Sequence, residues 1–276
     1  MDAKVTAPYL ILGLILLACA VKPVLSDTSF ETAMLLAQKG DLLMTENRYD
    51  EAISAYSESV TLDPYNSIAW NKMGNAYRAA GRNTDALSAF QKAVKLDPSY
   101  TRAWDNIGDV QSLLGNYTDA VKTYDRALAT NPNDLYALVA RGINLQVLGK
   151  EADAKNSFQE AVDIADRELR VHPNEAKYDA TLWTNRGNAL FRLQQYTEAL
   201  SSYDRALTVN PKQDEAIRNR NAVLSLMETE NTSFINETRE PGSTPTNTAR
   251  NGTPGSLAIV FLAIGAVAAL FIFRKH

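Results

Sequence analysis

Cysteine is nearly absent from this 276-residue chain, with Cys19 the only copy. That excludes a disulfide framework and a thiolate metal site. Histidine is almost as scarce: His172 and the terminal His276 are the two copies, too few for a His-based triad or metal cage drawn from separate helices. No Lys/Arg cluster exceeds the final pair Arg274-Lys275, and the net charge is −4. This balance argues against the basic stripe that nucleic-acid binding requires. The glycines are spaced singly, so there is no glycine loop to cradle a phosphate. Composition leaves open Ser/Lys chemistry and paired-carboxylate chemistry, the latter because Asp105 and Asp109 lie one helical turn apart; such a pair on a helix is ordinarily solvated. The sequence therefore predicts no enzyme, no cofactor, no metal site and no small-molecule substrate.

What the chain does have is a period. One stretch holds Trp70, Gly74, Tyr77, Ala86, Phe90, Ala93 and Pro98, and all of these types but the one at Tyr77 return 34 residues later, as Trp104, Gly108, Ala120, the aromatic Tyr124, Ala127 and Pro132. The same residue types stand upstream as Leu36, Gly40, Ala52, Tyr56 and Pro64. A fourth copy keeps Leu138, Gly142, Ala154, Phe158 and Ala161, but its proline, Pro173, follows Phe158 by fifteen residues instead of eight. A fifth copy resumes with Trp183, Gly187, Leu190, Ala199, Tyr203, Ala206 and Pro211.

Each period encodes two helices. Trp70, Met73, Gly74 and Tyr77 fall at i, i+3, i+4 and i+7, and Ala86, Leu87, Phe90, Ala93 and Val94 form a second stripe. Gly81-Arg82-Asn83 makes the turn between them, and Asp97-Pro98 ends the second helix, because proline disfavours a helical conformation in the residue before it. Gly74 and Ala86 are small where the two antiparallel helices cross, so the axes can approach closely. A helix of about a dozen residues is marginal alone, so stability must come from stacking each hairpin on its neighbours. The seven extra residues of the fourth copy equal two helical turns and predict a second helix extended through Ala165 to about Val171. That insertion reads more simply as a tolerated surface feature than as the lip of a binding site.

The spacing of a large apolar residue four before a glycine, an aromatic between two alanines and a closing proline resembles the tetratricopeptide repeat, or TPR. The resemblance covers about Phe30 to Met227. It implies an all-α fold, a right-handed superhelix (α-solenoid) of about five helix-turn-helix units at 33–66, 67–100, 101–134, 135–173 and 180–213, with a capping helix at 213–229. It also implies a concave groove lined by the first helix of each unit, where a peptide or helix of a partner protein would lie. The stripes are Met34, Ala37, Asp41 and Met44; Ile68, Asn71, Asn75 and Arg78; Arg102, Asp105, Asp109 and Ser112; Tyr136, Val139, Ile143 and Gln146; and Thr181, Thr184, Asn188 and Phe191. Amides such as Asn71, Asn75 and Asn188 can donate to and accept from a peptide backbone, while Tyr136, Val139 and Ile143 suit an apolar pocket. The carboxylate clamp some family members use for chaperone C-termini is absent, since Asn71, Tyr136 and Ala140 stand where its basic residues belong.

The two ends predict a location. Lys4, the apolar run from Pro8 to Ala20 and Lys22-Pro23-Val24-Leu25-Ser26 read as a secretory signal over 1–26 cut after Ser26; an uncleaved anchor and lipid attachment at Cys19 are the alternatives. Residues 230–256 are rich in Asn, Thr, Ser, Pro and Gly and read as a disordered linker. Within it, Asn231, Asn236 and Asn251 match the N-glycosylation acceptor pattern. Residues 257–273 form an unbroken apolar run of ~26 Å as a helix, followed by a basic tail at 274–276 that should remain cytoplasmic. Thr253-Pro254-Gly255-Ser256 with this run resembles archaeal sortase-type sorting signals, apart from Ser256 where those carry Phe. The expected protein is a single-pass cell-membrane scaffold with its repeats outside the cytoplasm. Its alternative is an accessory subunit of a membrane-associated enzyme or envelope assembly complex.

Overall fold

The computed structural model describes residues 28–237, and among them all regular structure is helical. Helix α1 spans 28–45, followed by α2 (Tyr49–Leu62), α3 (Ser67–Ala79), α4 (Asn83–Leu96), α5 (Thr101–Leu113), α6 (Tyr117–Thr130), α7 (Leu135–Val147), α8 (Glu151–Val171), α9 (Pro173–Ala176), α10 (Ala180–Arg192), α11 (Tyr196–Val209) and α12 (Asp214–Glu237). These form two compact units that meet in sequence at Val110 and Gln111, inside α5.

The first unit holds the hairpins α1/α2 and α3/α4 and most of α5. Its core has two parts, one around Tyr56, Ile53, Leu43 and Met73 and one around Phe90, Val94, Ile107 and Val110. The second unit holds α7/α8 and α10/α11, with α6 before them and α12 behind. Its core runs through Leu138, Phe158, Leu190, Tyr203 and Val223.

The turn inside each hairpin has one geometry. Asn47, Gly81, Gly115, Gly149 and Gln194 occupy the same register and all have positive φ, from 59° to 79°. A left-handed residue there reverses the chain within three residues, which is why glycine fills three of the five positions. Between hairpins, a capping side chain starts α3, α7 and α10. Asn66 Oδ1 accepts from Ala69 N at 3.0 Å, Asp134 Oδ1 from Ala137 N at 3.1 Å, and Asp179 Oδ1 from Thr181 N and Leu182 N. The tryptophans brace these connections: Trp70 Nε1 donates to Pro64 O at 3.0 Å, Trp104 Nε1 to Pro98 O at 2.9 Å and Trp183 Nε1 to Lys177 O at 3.3 Å.

The insertion lengthens α8 to 21 residues. Ala165 is buried at the start of this added stretch, while Asp166 and Arg167 bond to Arg186 and Asn133. The C-terminal end corrects the expected linker: α12 is helical to Glu237, so 230–237 continues the capping helix. Its Asn, Thr and Ser cost only tenths of a kcal/mol each in a helix, and no proline or glycine occurs before Pro241. Asn231 and Asn236 therefore lie on helical backbone. The signal (1–26), Asn251, the apolar run (257–273) and the sorting-signal resemblance lie outside the described residues. Among the described residues, no helix is long and apolar enough to cross a membrane.

Candidate functional site

The predicted stripe on the first helices separates into registers with different surroundings. Its leading register carries Met34, Ile68, Arg102, Tyr136 and Thr181, and all five are exposed. Three are large apolar side chains, with Met34 48%, Ile68 55% and Tyr136 41% exposed. Hairpin packing does not require them there, because Arg102 and Thr181 occupy the same register.

The next register corrects the expectation. Asn71, Val139 and Thr184 are buried and present no side chain to a partner. Three residues along a helix is a rotation of about 300°, which turns this register off the outer face. Asn71 Oδ1 accepts from Asn106 Nδ2 at 2.9 Å, and Asn71 Nδ2 donates to Tyr100 Oη at 3.3 Å. Thr184 Oγ1 donates back to Ala180 O at 2.8 Å. Asp105, at the same register on α5, is half-buried.

The residue after each crossing glycine is half-buried and mostly bonded. Asp41 accepts from Tyr56 Oη at 2.7 Å and from Lys72 Nζ at 2.6 Å, which links α1, α2 and α3. Asp109 accepts from Arg78 Nη1 at 3.1 Å, and Arg78 Nη2 leans on Asn75 Oδ1 at 3.5 Å. Asn188 is a hub: its Oδ1 accepts from Tyr203 Oη at 2.9 Å and Asn219 Nδ2 at 2.8 Å, while its Nδ2 donates to Glu215 Oε1 at 2.9 Å. Ile143 at this register is half-buried. Burial, then the Asp41 hydrogen bond, pushes the Tyr56 hydroxyl well above its ordinary range; burial and the charge of Glu215 do the same to Tyr203.

Two participants were missed in the sequence. Lys72 lies outside the stripe, yet reaches back to Asp41 of the preceding hairpin. Arg192 closes α10 one turn beyond Asn188, and an i+4 extension of the stripe would have found it. Among the described residues, no group of three or more His, Cys, Asp or Glu is placed to hold a metal ion.

Comparison with known families agrees with this hairpin geometry. Models described as tetratricopeptide repeat match residues 71–134 and 180–213, and a TPR repeat model matches 40–79. The chain belongs to the tetratricopeptide-repeat family. TTC0263, a thermophilic TPR protein of Thermus thermophilus, is 19% identical over 70% of this chain and 99% of its own, with a TM-score of 0.53. A chain of the APC/C hetero-tetramer Cut9–Hcn1 is 22% identical over 70% of this chain and 36% of its own, with a TM-score of 0.52. These two likenesses bear on the fold alone. The first TPR domain of Spaghetti (RPAP3), bound to the HSP90 peptide SRMEEVD, is 31% identical over 43% of this chain and 94% of its own, with a TM-score of 0.42. No curated protein matches the sequence. TPR proteins are generally non-enzymatic scaffolds, and this TPR chain is a protein-interaction scaffold at that level of description.

Proposed function

We propose that this TPR protein binds a peptide or helix of a partner protein along the exposed stripes of its first helices, on the outer side of the cytoplasmic membrane. The observation that carries the reading is the recurrence of exposed Met34, Ile68 and Tyr136 at one register. Large apolar side chains kept in water at a repeated position suit a surface that is covered on binding. Beside them, Asn75, Arg78 and Arg102 in the first unit and Gln146 and Asn188 in the second offer polar groups for a backbone or side chain. Asp41, Asp109 and Ile143 flank the stripe. The predicted signal and the 257–273 run support the location, with residues 28–237 carried outside and the basic tail within.

Site-specific photocrosslinking in the full chain tests the binding surface. A crosslinker at Ile68 or Tyr136 should capture a partner, while one at Glu58, exposed on α2, should not. Equal capture at Glu58 would remove the stripe from consideration. Protease access to intact cells stripped of their wall tests the location, since a protected repeat domain would contradict it.

A further inference from the structure

The chain carries a further Asn-X-Thr triplet, Asn116-Tyr117-Thr118, where the turn after α5 enters α6. Such a triplet is an N-glycosylation acceptor pattern, in which the hydroxyl two residues on is read together with the asparagine amide. The pattern arises easily by chance, so its surroundings decide its meaning. Asn116 directly follows Gly115, which has φ of 79° and around which an added Cβ would meet nothing within 4 Å. Asn116 and Thr118 are both exposed. The tip of this turn therefore has room for a bulky group.

The fold makes no use of the Asn116 side chain. Asparagine is among the strongest N-cap residues, and Asn66 shows that use at the start of α3, where its Oδ1 accepts from Ala69 N at 3.0 Å. Asn116 is the N-cap of α6, yet its side chain makes no capping hydrogen bond. The same holds for Arg48, Arg82, Lys150 and Gln195 at this register. All five have ψ between 54° and 69°, short of the extended conformation in which Asn66, Asp134 and Asp179 cap their helices. Backbone bonds alone hold the turn: Asn116 N donates to Gln111 O at 2.8 Å, and Asn116 O accepts from Ala120 N at 3.0 Å. Neither involves Nδ2, so a substituent on that atom leaves the turn intact. The acceptor triplet at Asn231 is placed differently, since Asn231 and Ser233 both lie on the helical backbone of α12. Two residues along a helix is a rotation of about 200°, which puts those two positions on opposite sides. Asn116 precedes its helix and escapes that constraint.

We propose that Asn116 is a site of N-glycosylation. The acceptor atom is Nδ2, and the donor is a polyprenyl-phosphate- or polyprenyl-pyrophosphate-linked oligosaccharide presented by a membrane-bound transferase. A bond forms between Nδ2 and the anomeric carbon of the first sugar, while the bond from that carbon to the donor's phosphate oxygen breaks. The lipid phosphate leaves with the electron pair, and one amide proton passes to a base of the transferase. This rests on the reading that residues 28–237 lie outside the cytoplasm, and it adds a bulky, solubilising group at the turn between α5 and α6.

The test isolates the full chain from the membranes of the cells that naturally make it and digests it with trypsin. Cleavage after Arg102 and Lys122 releases a 103–122 peptide in which Asn116 heads the only acceptor triplet. Mass spectrometry should find this peptide mostly in a form heavier by a sugar chain, with fragmentation locating the sugar on Asn116. Asn116→Gln and Thr118→Ala, expressed in the same cells, should each return it to its bare mass, while Thr118→Ser should keep the sugar. The circular dichroism of all three variants should match that of the natural chain, because the Asn116 side chain makes no bond in the fold. A bare 103–122 peptide from a chain whose repeats are open to protease on wall-stripped cells would overturn the Asn116 assignment and leave the location standing. A bare peptide from a chain whose repeats are protected would overturn both. A modification that survives Asn116→Gln would lie on another residue and would also overturn the assignment.

Discussion

Gly74 and Phe90 are packed so closely that a Cβ on the glycine would lie 2.5 Å from Cε1 of the ring. The same relationship joins Gly40 to Tyr56, Gly142 to Phe158 and Gly187 to Tyr203, always sixteen residues apart and always under 3.0 Å to at least two ring carbons. Phe90 is fully buried, so its ring has no vacant space to enter. Gly74→Ala should destabilise the chain by about 1–3 kcal/mol through overpacking. Adding Phe90→Leu should recover part of that loss. Thermal unfolding followed by circular dichroism checks both, and an additive double variant would show that the two residues do not oppose each other.

Gln194 occupies the left-handed turn position with φ of 63°, where three other hairpins use glycine. Gln194→Gly should relieve backbone strain and stabilise by about 0.5–1 kcal/mol, the gain being reduced by greater freedom of the unfolded chain. Gly149→Ala should do the reverse; an added Cβ there meets nothing within 4 Å, so its cost is conformational alone. Chemical denaturation of the two variants measures the sign directly.

The hydroxyls of Tyr56 and Tyr203 are held above the ordinary phenol value of 10.0 in the folded protein, first by burial and then by their acidic neighbours. In the unfolded chain they ionise near pH ~10. The folded state therefore keeps protons that the unfolded state releases, so this contribution is intact below pH ~10 and is lost as pH rises above it. Unfolding midpoints should fall more steeply above pH ~10 for the natural chain than for Tyr56→Phe/Tyr203→Phe. Parallel curves would mean that the hydroxyls ionise normally.

Arg186 joins two hairpins through Asp166 and Ser202, with 19% of its side chain exposed and 33% of that of Asp166. A double-mutant cycle with Arg186→Ala and Asp166→Ala should give a coupling of about 0.5–1 kcal/mol, reduced in high salt because the pair is partly solvated. A coupling near zero at low salt would assign the stabilising role to Ser202 alone.

Much of the hairpin was legible in the sequence. Trp70, Gly74, Ala86, Phe90 and Pro98 mark two helices, their crossing and their stop, because each residue type answers a local demand of that unit. The partner of the crossing glycine was not legible. Ala86 is small as expected, but the ring of Phe90 sets how close anything on Gly74 can come, and ring placement depends on how two helices rotate against each other. The stripe was legible as a direction and misread in detail. Counting by three and four groups Ile68, Asn71, Asn75 and Arg78, yet a neighbouring helix covers Asn71 and leaves Ile68 in water.

The sequence by itself determined the period, the helical character of both arms of each repeat, the turn and the proline stops, since these follow from interactions within about ten residues. Only the tertiary structure decided which stripe residues remain accessible and that Lys72 bonds to Asp41 thirty-one residues away. Those outcomes depend on contacts between hairpins, where the translation and rotation of one helix on the next select which polar atoms meet.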